Sequence, residues 1–495
     1  MKLKALALAA LLGLNVAANA QDDGDVARYG FLFPSGTARS QALGGATNAL
    51  GADLSALTNN PAGLAIYNSD EFSMTPQLYN IRTNATYLGQ DLSDQSSKFN
   101  FGHAGFVGTT KHRNRGKWQS VSHAFAITKL ASFQQNISYS AYNRASSIGD
   151  YYAAQLSGHN VTPSNAFNYA PFGAGLAYNA WLLDQNAGAD SANYTAVNAG
   201  GQVYQQMDKT ITGGINELTG GLGKNYDDRL YMGLSFGLPI VRYHMNSSYS
   251  ESDDSLYHAD FENMTKSEDV KITGTGLNMK MGIIYRFNDY VRLGFALHTP
   301  TYYTLTDNSS FDMAVTRDTS GYHTEYSTNK TTYNIISPWR MSGGLVVTYP
   351  NIGFISADVE VVDHSSSTIS YTSNDAASNS NAHDINRILS KSYTSANNIR
   401  LGAEAKWDIF AFRAGYAMYG SPYKTALVDG FDMSTKIMSA GLGMREKDYF
   451  FDLTFSHVTA TSVDLPYVFS NGTASPAATL TNTRNILSAS VGFKF

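Results

Sequence analysis

The chain has no cysteine. Small exported domains that rely on disulfides to hold a thin core are therefore excluded. Long hydrophobic runs are missing too: beyond the leader, no segment approaches about 18 uninterrupted apolar residues, so no helix is available to span a bilayer. Charge is sparse and nearly balanced, with a net of −5, which gives nucleic acid nothing to bind. There is no H-E-x-x-H, P-loop or EF-hand spacing, and the eleven histidines are scattered, so neither metal nor cofactor is expected.

What is present is aromatic and small: 32 Tyr, 25 Phe and 43 Gly in 495 residues. The chain opens with Lys2 and Lys4, an apolar core from Ala5 to Leu14, and Ala18-Asn19-Ala20. That is the layout of a secretory signal peptide over 1–20, cut after Ala20. An exported, strand-forming, aromatic and cysteine-free chain fits a transmembrane β-barrel.

Parity supports this. Ile399, Leu401, Ala403, Ala405 and Trp407 alternate with Arg400, Gly402, Glu404 and Lys406, and a strand sends those two sets to opposite faces. The same alternation runs through 291–298, 355–362 and 449–456. A soluble sandwich also alternates, but it has no reason to sort its connections by end. Here short polar turns (226–229, 287–290, 349–351, 445–448) alternate with long loops near 148–210, 250–268, 307–322, 371–396, 421–434 and 463–482. Tight periplasmic turns and long external loops are the barrel arrangement. The expected strands are 71–84, 98–110, 119–147, 211–226, 229–249, 269–286, 290–306, 323–348, 352–370, 397–407, 409–420, 435–445, 448–462 and 484–495, about fourteen in all. Within 148–210, short helices or an extra hairpin are both open. The last strand ends on Phe495, a C-terminal aromatic of the kind that barrel-assembly machinery recognises.

Residues 21–70 do not alternate. They carry helix-like pieces at Ser40 to Leu50 and Leu54 to Thr58, the second with Asp53 as N-cap. Asn59-Asn60-Pro61 stops that piece, because the residue before proline leaves helical geometry. So small a segment cannot make its own core, and a barrel of this size leaves a lumen to fill. The expected organisation is a leader (1–20), an N-terminal hatch or plug (21–70) and a barrel (71–495).

Gly36-Thr37-Ala38-Arg39-Ser40, Gly44-Gly45-Ala46 and the junction Asn60-Pro61-Ala62 resemble the hatch of the FadL-like family of long-chain fatty-acid and hydrophobic-compound outer-membrane transporters. The likeness continues in order through 233–243, 336–344, 399–407, 412–423, 439–444 and the last strand. The resemblance implies a fourteen-stranded barrel in the bacterial outer membrane, in contact with its lipid. It also implies passive uptake of fatty-acid-like amphipathic or hydrophobic molecules, and a lateral opening at a kinked third strand, whose counterpart here is Leu130 to Phe133.

On parity, Arg292, His298, Asp358, Glu360, Arg400, Glu404, Arg413 and Asp452 face the lumen, with Lys406 and Lys494, because a cation on the lipid face costs about 2–4 kcal/mol. By resemblance, Arg242 in "GLSFGLPIVRY" meets a ligand carboxylate. Strict parity sends it outward, and one bulge at Pro239 would turn it in. Phe31, Leu32 and Phe33 either touch a ligand tail or anchor the plug. Gly233-Leu234-Ser235-Phe236-Gly237 matches a hydrolase pattern, but it lies inside a strand and not on the required elbow; no enzyme is expected. The alternative function is a surface barrel whose loops act in adhesion or in polymer or haem binding.

Overall fold

The computed structural model describes residues 23–33, 35–112, 116–186, 192–373, 375–425, 432–469 and 475–495. The leader and its cleavage site lie outside the described residues.

The alternating segments become long strands. The first half of the wall is β1 (Glu71–Tyr87), β2 (Gln90–Lys111), β3 (Trp118–Ser132, resuming as Gln135–Asn143), β4 (Val203–Tyr226), β5 (Leu230–Ser252), β6 (Asn263–Arg286) and β7 (Val291–His298, resuming as Tyr302–Arg317). The second half is β8 (Gly321–Ile336, resuming as Arg340–Tyr349), β9 (Gly353–Asp363, resuming as Thr368–Tyr371), β10 (Ser395–Trp407), β11 (Phe410–Tyr419), β12 (Thr435–Arg445), β13 (Tyr449–Asp464) and β14 (Ala478–Lys494). Neighbours are antiparallel, and β14 returns to β1 from Glu71↔Lys494 to Tyr87↔Ala478, closing a fourteen-stranded barrel.

Along β5 the two faces exchange character. Near the short-turn end, Phe236 and Leu238 point outward while Ser235 and Gly237 point inward. Further up, the outward positions are Arg242, Asn246 and Ser248, and Val241, Tyr243 and Tyr249 are buried inside. β1 does the same, from outward Phe72, Met74 and Leu78 to buried Ile81, Ala85 and Tyr87. Below the switch the outer face has the pattern suited to lipid; above it the strands obey the rule of a water-soluble protein.

That switch explains one correction. The segment 307–322 is a continuation of β7 and β8, paired up to Arg317↔Gly321, and not a long loop. Its Thr, Ser and Asn residues suit a wet outer face, while Phe311, Met313 and Val315 are buried inside. The connection after β3 holds both alternatives left open by the sequence: helices at Ile148–Gly158, Ala166–Tyr169 and Ala174–Asn179, and a ribbon pairing Leu183–Gln185 with Tyr194–Ala196. Tyr152, Leu156, Leu176 and Leu182 pack with Tyr139, Phe311 and Val315 into a cap over the wide end.

The segment before β1 lies inside the cylinder. Its first element is a helix, Asp23–Gly30, whose Val26, Ala27 and Tyr29 pack with Val241, Tyr303 and Leu389. A short helix (Ala38–Ala42) follows, capped by Thr37, and then two 3-10 turns. The first of these, Leu54–Leu57, is capped by Asp53 as expected, through Ser55 N–H. The expected piece from Ser40 to Leu50 is shorter and starts earlier: Gly44 and Gly45 take positive φ and end it. Asn60 then caps the second turn, Pro61–Ile66, so the stop is also a start.

Candidate functional site: the plug and the broken third strand

The plug is held by backbone approach and polar contacts together. Lumen-facing glycines on successive strands leave room for its main chain. A methyl group at Gly233 on β5 would overlap the carbonyl of Pro61, and one at Gly282 on β6 would overlap the Asn60 side chain. Gly294 on β7 meets Asn48, and Gly415 on β11 meets Gly44. Asn60 spends its whole amide at this junction. Nδ2 donates to Asn48 O at 2.7 Å, with longer approaches to Ile283 O and Phe295 O, and Oδ1 accepts from Ala62 N–H at 3.1 Å.

All eight lumen-parity charges point inward, and half of them meet the plug. Arg292 donates to Leu50 O at 3.3 Å and His298 Nε2 lies 2.7 Å from Asn59 O. Asp358 accepts from Asn48 N–H at 2.9 Å, and Glu404 holds Arg39 at 3.3 Å. Burial works against the charge on Arg39, yet Glu404, Asp53 and Asp452 together hold its pKa above the ordinary value. The rest pair across the wall: Arg413 bridges Glu404 (2.7 Å) and Asp452 (2.6 Å), and Glu360 lies between Arg400 (2.7 Å) and Arg340 (3.2 Å). Lys406 is half exposed near the short-turn end.

Among the described residues, the wall has a gap between β2 and β3. β2 pairs with β3 only from His103↔Thr128 to Lys111↔Ser120. Beyond that, among the described residues, β2 from Gln90 to Phe101 is paired only with β1, and Gln135–Asn143 of β3 only with β4. The β3 register slips between Lys129 and Ala131 and the strand lapses over 133–134. This is the position expected from the resemblance. Arg484 from β14 donates to the freed carbonyl of Ser132 at 2.9 Å. An unpaired strand edge is tolerated at membrane depth only against protein or a filled cavity.

Two cavities meet the break from inside, enclosing about 800 Å³ and about 850 Å³ of space free of protein atoms, part of it open to solvent. The first is lined by Leu130, Ala131, Phe33, Ile437, Val458 and Ile486, with Arg484 at its wall. The second is mixed, with Leu32, Phe33 and Leu130 beside Asn48, Lys280, His298, Glu360 and Arg400. Phe33, Ser35 and Leu130 belong to both. The buried Asn48 amide and Arg400 Nε have no hydrogen-bond partner here, so the second cavity holds unused donors.

One sequence expectation changes and two resolve. Arg242 does not enter the lumen: it is exposed on the outer face of β5. The β5–β6 pairing runs from Gly237↔Asn278 to Ile240↔Thr275 in one register, so Pro239 omits a ladder bond without adding a residue, and no bulge turns the strand. Phe31, Leu32 and Phe33 divide their roles. Phe31 stacks on His364 (4.8 Å, 18°), while Leu32 and Phe33 line the cavities, Phe33 with its edge on Tyr419 (5.3 Å). Ser235 sits within β5 and donates to Leu57 O at 2.9 Å, so the hydrolase-like pattern serves plug docking. Sequence reasoning missed Asn48 and Arg484. Arg484 shares the inward parity of the last strand and was legible; Asn48 sits in irregular chain and was not.

No family model matches the sequence, and no curated protein matches it. Solved structures do. A Pseudomonas aeruginosa FadL homologue shares 14% identity over 94% of this chain and 100% of its own, with a TM-score of 0.57. The P. putida toluene transporter TodX shares 11% over 94% and 99% (TM-score 0.53), and the Ralstonia pickettii toluene transporter TbuX 12% over 94% and 99% (TM-score 0.50). The chain has the FadL-type fold.

Proposed function

We propose that this barrel resides in the bacterial outer membrane and takes up hydrophobic or amphipathic small molecules by diffusion. They pass from the lumen sideways through the break in β3. The observation that carries this is the coincidence of the unpaired β2–β3 wall with an apolar cavity whose lining includes the broken residues themselves. The FadL-type fold supports it. A long-chain fatty acid suits the pair of cavities better than a plain hydrocarbon does. Each buried CH₂ gains about 0.8 kcal/mol in the apolar one, and Asn48 and Arg400 offer donors to a carboxylate in the other. In this reading the plug is a hatch, and small movements of Leu32 and Phe33 admit the ligand.

The test is uptake of a fluorescent fatty acid and of toluene into proteoliposomes. Leu130→Trp, which fills the shared wall of both cavities, is expected to abolish both. Arg400→Gln is expected to weaken fatty-acid uptake and leave toluene unaffected. Unchanged uptake of both molecules by Leu130→Trp overturns the lateral route.

A further inference from the structure

Outward-facing residues on β5 to β8 form a regular grid, because these strands pair in continuous register above the lipid band. The uppermost apolar row contains Leu238, Leu277, Tyr302 and Ile336. Two rows higher the sequence across the strands is Arg242, Thr273, Thr306, Thr332. The next row is His244, Lys271, Asn308, Lys330. These two rows contain no acid. The first outward carboxylate above them is Asp269, already engaged by Lys271 (3.0 Å) and His244 (3.3 Å).

Arg242 and Lys330 are exposed, and among the described residues neither has a hydrogen-bond or ion-pair partner. Strands lie about 4.8 Å apart and a two-residue step is about 6.6 Å. Arg242 and Lys271 are therefore about 8 Å apart at the backbone, and Lys271 and Lys330 about 10 Å. Arg242 and Lys330 stand about 16 Å apart at the backbone. The three cations, with threonine hydroxyls and Asn308 between them, therefore span a headgroup and not one small ion, and Lys271 would turn to it from Asp269. Two other outward cations of the upper wall are engaged locally: Arg82 on β1 bonds Ser93, and Lys436 on β12 bonds Asp432.

We infer that this field binds the phosphorylated sugar headgroup of a glycolipid in the surrounding outer leaflet. Cations match the phosphates, and hydroxyl and amide groups match the sugar. The apolar row two steps beneath accepts the acyl chains, a juxtaposition a soluble anion would not use. Anionic headgroups attract basic clusters at this depth, and salt screens the attraction. The inference rests on the barrel lying in a membrane and is independent of what the lumen transports.

The test uses full-length protein in detergent, titrated with a bisphosphorylated glucosamine-disaccharide glycolipid and followed by native mass spectrometry. Heat-modifiable gel mobility confirms that each variant is a closed barrel. The triple variant Arg242→Gln, Lys271→Gln, Lys330→Gln is expected to bind at least tenfold more weakly, Arg82→Gln as wild type does, and the phosphate-free glycolipid at least tenfold more weakly to wild type. Equal binding by the folded triple variant, or by the phosphate-free lipid, overturns the assignment. So does complete displacement by millimolar inorganic phosphate, which would make this a free-anion site.

Discussion

Arg39 reaches from the plug to Glu404 on β10 at 3.3 Å, and the same carboxylate oxygen holds Arg413 of β11 at 2.7 Å. One buried acid thus balances a cation from the plug and another from the wall. Glu404→Gln would take the ion-pair partner from Arg39 and leave Arg413 with Asp452 alone, a loss of about 3–5 kcal/mol for a broken buried pair. The expected outcome is a closed barrel with a loosened plug, read as higher single-channel conductance in a planar bilayer and a lower melting temperature.

Steric tests of docking need no charge change. Gly233→Val places a side chain where Pro61 lies, whereas Gly343, on β8, has nothing within 4 Å of an added methyl. Gly233→Val is expected to raise conductance and expose the plug to protease, and Gly343→Ala to do neither. Equal behaviour of the two variants would show that the plug is not seated by backbone approach.

Acid should weaken the hold on the N-terminal helix. His364 sits in the lumen between the two parts of β9, stacked on Phe31. Burial, aided by Arg340, lowers its pKa from 6.5 to about 4, against the opposing pull of Glu360 and Asp363. The folded state therefore prefers the neutral ring. The contribution is complete above about 6.5 and is lost as pH falls toward about 4, because the unfolded chain takes up the proton first. Amides of residues 26–33, corrected for intrinsic rate, should exchange faster as pH drops through that window. His364→Gln should remove the dependence.

Ser235→Ala removes one buried hydrogen bond and leaves Leu57 O without that donor. A loss of about 1 kcal/mol in stability is expected, with no change in esterase background. A drop in ester hydrolysis would revive the enzymatic reading.

The barrel was legible wherever lipid wrote the alternation, as from Ile399 to Trp407, since there each outward residue must be apolar. Above the lipid the rule inverts, so 307–322 read as a loop although it pairs throughout. The segment before β1 was legible as distinct from the wall by its failure to alternate, and Asp53 as a cap by local chemistry, whereas Asn60 read as a stop alone. The helix Asp23–Gly30 was not legible, because only Val26, Ala27 and Tyr29 are apolar anchors and their partners lie hundreds of residues away. Arg242 shows the limit of transferring a role by resemblance: parity argued for the outer face, and the unbroken register of β5 keeps it there. The glycines at the plug interface looked like ordinary small strand residues, because close approach by another segment leaves no mark on the strand itself.

The plug touches strands on opposite sides of the cylinder, from Gly233 and Gly294 round to Gly415, yet only Tyr67, Asn68, Ser69 and Asp70 separate its last turn from β1. Biogenesis inherits an order from that layout. The leading segment has to be gathered in while the sheet is still an open trough, and the meeting of Glu71 with Lys494 then shuts the seam behind it. A chain whose final strand annealed first would trap its own beginning outside.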